Sequence, residues 1–329
     1  MNLARLSVFA IIFTGFAFQS TASGQSPTPA KKSAVPQKPL SKKGEPTAAK
    51  RPVAETVSAK SDLPSKMPAK SISTPTDANS YKLVYKLRAD EKIVSEVIHL
   101  ATTNTKMSDV TQASQSRTVS SKVWEVKSID AEGNMTFSQS VASVDMSQQI
   151  GDEPEVRYNS TIDETPPTQF QSVADSIGKP LATITITPWG EVVDRSEKAN
   201  GTNLGMGDIT IPMPQEAITI GQQWETPREI RVRRTDGSPK MIKVRELYTL
   251  EKVSSGVAVI SVRSEPLTPM HEPELEAQAI QQMSNGEVRF DLDAGRLISK
   301  SLSWDKTVVG FSGPGSVMDY SARLDEKVQ

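Results

Sequence analysis

Val123-Trp124-Glu125-Val126-Lys127-Ser128-Ile129 runs into Asp130-Ala131-Glu132-Gly133-Asn134 and returns through Met135-Thr136-Phe137-Ser138-Gln139-Ser140-Val141. Apolar and polar residues alternate on both sides of a glycine-containing turn, which is the period of a half-buried strand. The stretch therefore predicts a β-hairpin with one side of each arm turned to a core. Upstream, Tyr81, Leu83, Tyr85 and Leu87 alternate in the same way, and Asp90-Glu91-Lys92 turns into a second strand through Val97. Downstream, strands are expected at 155–161, 181–187, 191–194, 230–234, 241–252, 257–263, 288–292, 296–304 and 317–324. Many short strands separated by turn residues predict a mainly β fold, a curved antiparallel sheet or half-barrel.

Two segments depart from period 2. In 168–178, Phe170, Val173, Ala174 and Ile177 fall at helical spacing, with Thr168 and Gln171 as a capping box and Gly178 as the stop. From Pro273 to Ser284, Leu275, Ala279, Ile280 and Met283 share one helical face, ended by Asn285-Gly286. Both predict short amphipathic helices lying on the sheet. The order hairpin, helix, hairpin occurs twice, once through Thr187-Pro188-Trp189-Gly190-Glu191-Val192 and again through Asp291-Leu292-Asp293-Ala294-Gly295-Arg296-Leu297. A duplication with halves 80–205 and 206–329 is one reading of that order; chance similarity between β-rich halves is the other.

The ends of the chain differ from its body. Met1-Asn2-Leu3-Ala4-Arg5 precedes an apolar run from Leu6 to Phe18 and the small residues Ser20-Thr21-Ala22-Ser23-Gly24, the pattern of a signal peptide over residues 1–24. The run is too short to span a bilayer easily. Residues 25–79 repeat Pro, Lys, Ser, Ala and Thr without an aromatic residue, so a disordered basic tether is expected before a β-rich domain at 80–329. Ser26 to Asn79 carries ten basic and four acidic residues, whereas the chain from Ser80 onward carries 27 basic and 35 acidic. A basic arm on an acidic body suggests that the arm meets anionic partners, wall polymers or lipid heads, through Lys31, Lys32, Lys42, Lys43, Lys50 and Arg51. The chain has no cysteine, which excludes disulfides, thiolate chemistry and cysteine-ligated metal. An exported location in periplasm, envelope or extracellular space follows from the leader, and no later segment is a membrane-span candidate.

Three stretches, Tyr81-Lys82-Leu83-Val84-Tyr85, Ile184-Thr185-Ile186-Thr187-Pro188-Trp189-Gly190-Glu191-Val192 and Ile220-Gly221-Gln222-Gln223-Trp224-Glu225, resemble a family of exported bacterial proteins catalogued only as a domain of unknown function. That resemblance covers most of 80–329 and implies no activity. The hairpin from Phe290 to Leu297 is similar to one in periplasmic lipoprotein carriers, whose curved half-barrel wraps helices over an apolar cavity. The similarity implies a carrier at the level of fold alone.

Chemistry-bearing motifs are sparse. The two histidines, His99 and His271, have no nucleophile elbow to serve, and no phosphate-cradling glycine loop is present. Asp291 and Asp293 before Gly295 look like the opening of a calcium loop, yet Leu302 stands where the bidentate glutamate belongs, so a plain turn is the competing reading. His271-Glu272-Pro273-Glu274 lacks zinc spacing and suits a helix start. Trp189 at a hairpin tip and Trp224 after Gly221-Gln222-Gln223 are the candidate ligand or partner contacts, with packing of the turn as the alternative. The negative body disfavours nucleic acid. These features predict a non-catalytic envelope domain, without cofactor or resident metal, that binds an apolar small molecule or an envelope protein. The alternatives are an assembly protein pairing through a sheet edge and, least supported by motif, a hydrolase or metal-dependent enzyme.

Overall fold

The computed structural model describes residues 79–197 and 210–329. The predicted signal peptide, tether and boundary at 205/206 lie outside the described residues. The alternation becomes twelve strands: β1 (Lys92–Met107), β2 (Val110–Ile129), β3 (Met135–Ile150), β4 (Val156–Asn159), β5 (Ala182–Ile186), β6 (Val192–Glu197), β7 (Gln223–Arg233), β8 (Pro239–Ser254), β9 (Val257–Pro266), β10 (Asn285–Asp291), β11 (Arg296–Val309) and β12 (Val317–Val328). They form one antiparallel sheet in the order β6-β5-β3-β2-β1-β12-β11-β10-β9-β8-β7, with β4 paired to β3 beside that path. The mainly β, curved-sheet expectation holds. Among the described residues no ladder joins β6 to β7, so the sheet is not closed.

Period 2 decides which side is core. Along β12, Met318, Tyr320, Ala322, Leu324 and Glu326 are buried while Asp319, Ser321 and Arg323 are exposed. The largest apolar cluster joins Trp124, Phe137 and Ile184 from one half of the path to Tyr248, Ile260 and Phe290 from the other. For these to meet, the sheet must curl until its halves face each other, as accumulated strand twist allows.

The segment 81–88, expected as a strand, is a correction. Beyond a single bridge from Tyr81 to Ile218 it joins no ladder; it lies along the core with Leu83, Tyr85 and Leu87 buried and Lys82, Lys86 and Arg88 exposed. Its backbone groups are satisfied by hairpin tips instead: Tyr85 N donates to Pro188 O at 2.7 Å and Lys86 N to Gly295 O at 2.9 Å. The Tyr85 hydroxyl donates to Ile211 O (3.1 Å) and accepts from Ile211 N (2.9 Å), and its ring stands edge-on to Phe290. A segment buried in this way shows the same alternation as a strand, which is why pattern alone misassigns it.

The helices are shorter than their spacing predicted. A 3-10 turn (Thr168–Phe170) leads into α1 (Gln171–Ala174), and α2 (Pro273–Ala279) ends in a 3-10 turn (Ile280–Gln282). The capping box does not form, because Pro167 is the residue at the N-cap and the Gln171 amide donates to Asp175 instead. Gly178 does stop the first segment, at φ 73°. Asn285-Gly286 opens β10 rather than ending α2, and a Cβ at Gly286 would sit 2.0 Å from Ser301 O, so only glycine fits there. Leu275, Ala279, Ile280 and Met283 are buried as predicted.

The β2–β3 and β8–β9 hairpins share local geometry. The β2–β3 ladder skips Lys127 between Val126 and Ser128, and the β8–β9 ladder skips Glu251 between Leu250 and Lys252. Ahead of β1, Asp90 N donates to Val126 O and Val126 N to Glu91 O; ahead of β7, Gly221 N donates to Leu250 O and Leu250 N to Gln222 O. Arg88 N donates to Glu91 Oε2 where Thr219 N donates to Gln222 Oε1. Asp90 and Gly221 both hold positive φ, 61° and 86°.

Candidate functional site

The two helices divide the concave side. α1 covers β3 and β4, burying Phe170 and Val173 against Val141, Val144 and Tyr158. α2 lies over the other half, with Leu275 and Ala279 on Ile230, Val232, Ile242 and Val244, and with Ala277 and Ile280 on Trp304, Tyr320 and Leu324. Between them the inward phase of β1 and β2 presents Ala101, Thr103, Ser114, Ser116, Thr118 and Ser120, paired as His99↔Thr118, Ala101↔Ser116 and Thr103↔Ser114. This is a strip of small side chains between two helix-capped apolar clusters. Beside it, Trp304 Nε1 and Ser114 Oγ are buried and find no hydrogen-bond partner among the described residues. Buried polar groups without partners are uncommon in folded proteins.

At the inner end of the strip stands a charged cluster that the sequence reading missed. Lys122 on β2 pairs with Glu326 on β12, Lys300 on β11 lies 3.1 Å from the same carboxylate, and the Ser95 hydroxyl on β1 donates to it at 2.8 Å. All four are buried. Burial pushes the Glu326 carboxyl up, but Lys122 and Lys300 outweigh it and hold the group down at about 2. The signal was present: Lys122 shares the phase of Trp124 and Val126, and Glu326 shares that of Leu324 and Ala322. A charge on an apolar phase predicts an internal partner.

The residues singled out from sequence lie elsewhere. Trp224 is half-buried, stacked on Tyr248 at 5.4 Å, and its Nε1 donates to Pro212 O at 2.8 Å. Trp189 is also half-buried and packs on the central cluster; its carbonyl accepts from Met213 N at 2.7 Å. Both hold the segment 210–218 against the sheet. Asp291 Oδ1 accepts from Asp293 N and Ala294 N, the geometry of a turn-capping aspartate. Among the described residues no group of three or more potential metal ligands converges. His99 faces inward with its ring edge-on to Trp304 at 6.3 Å, and burial holds its imidazole below the usual range. His271 is exposed just before α2. The basic residues Lys31, Lys32, Lys42, Lys43, Lys50 and Arg51 lie outside the described residues. No helix among those described is long and apolar enough to cross a membrane.

No protein-family profile and no curated protein matches the chain. Among solved structures, a chain described as "lipid-protein interactions in lipovitellin" aligns with 74% of this chain at 8% identity and a TM-score of 0.40, and this chain spans 25% of that one. A superposition that loose carries no argument about ligand or mechanism.

Proposed function

We propose that the protein is a non-catalytic domain of the cell envelope that holds an apolar ligand on its concave side, along the strip over β1 and β2. The observation that carries this reading is the pairing of small side chains with buried, unpartnered donors, Trp304 Nε1 and Ser114 Oγ. Small side chains leave room for an apolar body, and the two donors supply fixed points for its polar atoms. The alternative of assembly through a sheet edge is less favoured at β7. That edge strand carries Pro227 and the charges Glu225, Glu229, Arg231 and Arg233, devices that oppose strand addition. The test is native mass spectrometry of the full chain purified gently from its own host, with an environment-sensitive apolar dye as second readout. The expected result is a co-purifying small mass and dye binding, both lost in Ala101→Phe/Ser116→Phe while the melting temperature changes little. A bare chain that binds no dye would overturn the reading.

A further inference from the structure

The acidic body carries a basic region in its second half. Residues 228–245 carry seven basic and two acidic side chains, and they form the β7–β8 hairpin at the end of the sheet path. Register sorts these charges. Arg245 is neutralised on the outer side by Glu225 and Glu265, at 2.9 and 2.8 Å, and Lys240 is tied to Glu272 at 2.8 Å. Arg231, Arg233 and Lys243 are exposed and make no ion pair among the described residues. They share the outward phase with Glu229, which stands opposite Lys243 in the register, and with two apolar side chains: Arg231 pairs with Met241, Arg233 pairs with Pro239, and Leu267 N donates to Lys243 O at 2.8 Å. Met241 is 38% and Leu267 53% exposed.

We propose that this outer side of the β7–β8 hairpin docks on an anionic lipid bilayer. Arg231, Arg233 and Lys243 outnumber Glu229 on this side, so an edge of the sheet presents a local positive excess on a body of net negative charge, and such an excess attracts an anionic surface. A soluble polyanion would use the cations alone. Met241 and Leu267, set among the cations, fit the headgroup boundary, where apolar side chains enter and cations remain with phosphate. The surface lies on the convex side, so the proposal does not depend on the ligand strip.

The experiment is co-sedimentation of the full chain with vesicles of phosphatidylcholine alone or mixed with phosphatidylglycerol. Any contribution of residues 25–79 is common to all variants, so the difference between variants reads the hairpin. Arg231→Glu/Lys243→Glu is expected to weaken binding to the anionic vesicles by about 25-fold or more, at roughly fivefold per cation. Met241→Ser/Leu267→Ser is expected to weaken it several-fold with the charge unchanged. All four positions are exposed, and unchanged melting temperatures establish that the variants fold. Binding indifferent to the charge reversal overturns the proposal. Binding that depends on the charges but not on Met241 and Leu267 also overturns it, in favour of a soluble polyanion.

Discussion

Glu326 is surrounded by Lys122, Lys300 and Ser95 where β1, β2, β11 and β12 lie side by side. Removing the carboxylate leaves two buried ammonium groups facing each other, so Glu326→Gln is expected to cost about 3–5 kcal/mol. Replacing the whole cluster by Lys122→Met/Lys300→Met/Glu326→Leu is expected to recover most of that loss, since an apolar set of similar volume has no desolvation to offset. Urea titration of the three proteins checks both. The same carboxyl sets an acid limit. Its folded-state pKa is depressed from 4.5 to about 2, so its contribution is fully present above pH 4.5 and is lost as pH falls through about 2. The urea midpoint of the wild type should therefore fall between pH 5 and pH 2 more steeply than that of the triple variant; parallel curves would remove Glu326 from the account. A second residue-scale prediction concerns the hairpin tips. Gly190 has φ 83°, and a Cβ there would stand 2.5 Å from the Tyr85 ring and 2.6 Å from Ile211 O, whereas Gly237 has φ 81° with nothing within 4 Å. Gly237→Ala should cost about 1–2 kcal/mol from backbone strain alone. Gly190→Ala adds a steric clash of about 1–3 kcal/mol, visible as a larger drop in melting temperature.

Among the elements, α2 joins two clusters that would otherwise be separate. Leu275, Ala279 and Met283 pack on β7 and β8, while Ala277 and Ile280 pack towards β11 and β12. Leu275→Ala is expected to cost about 2–5 kcal/mol. Because β7 has a strand on one side only, the loss should appear locally, as faster amide exchange at Ile230 and Val232 than in β1. Uniform acceleration across the sheet would mean that α2 does not anchor that edge separately. How far such elements could be read from sequence depends on whether the inward phase is apolar. The β2–β3 hairpin was legible because Trp124, Val126, Met135 and Phe137 are on that phase and Gly133 marks the turn. The second half of β1 was not, because its inward residues beyond Val97 include Ala101, Thr103 and Thr105, which give no hydropathic alternation. Those small and polar residues form the candidate strip, so the site lies where the pattern is weakest. The ion cluster was legible in principle, as charges on an apolar phase, but Ser95 and Lys122 lie far along the chain from Lys300 and Glu326, with 231 positions from Ser95 to Glu326, and only the sheet order brings them together.

For the whole molecule, the two paths through the sheet, β1–β6 and β7–β12, are not independent folding units. The segment 81–88 precedes the first path, yet Tyr81 bridges Ile218, Lys86 N donates to Gly295 O, and the Tyr85 ring packs on Phe290 of the second. The segment 210–218 precedes the second path, yet Met213 N donates to Trp189 O and Thr210 Oγ1 to Gly190 O of the first. Each path thus supplies an inner segment that reaches a hairpin tip of the other, 81–88 also meeting Pro188 of its own, and β1 pairs with β12 across their junction. A path expressed alone would expose the inner sides of its strands and leave the backbone groups of those tips unpaired. Unfolding of the whole should accordingly be a single transition, with fluorescence of Trp124 in one path and Trp224 in the other, isolated by replacing the remaining tryptophans with Phe, giving coincident urea curves. Polypeptides 79–205 and 206–329 should each be unfolded alone and regain sheet signal by circular dichroism when mixed. Two separate transitions, or a folded 206–329 fragment, would show that the interior segments are trimmings on two autonomous sheets rather than the element that joins them.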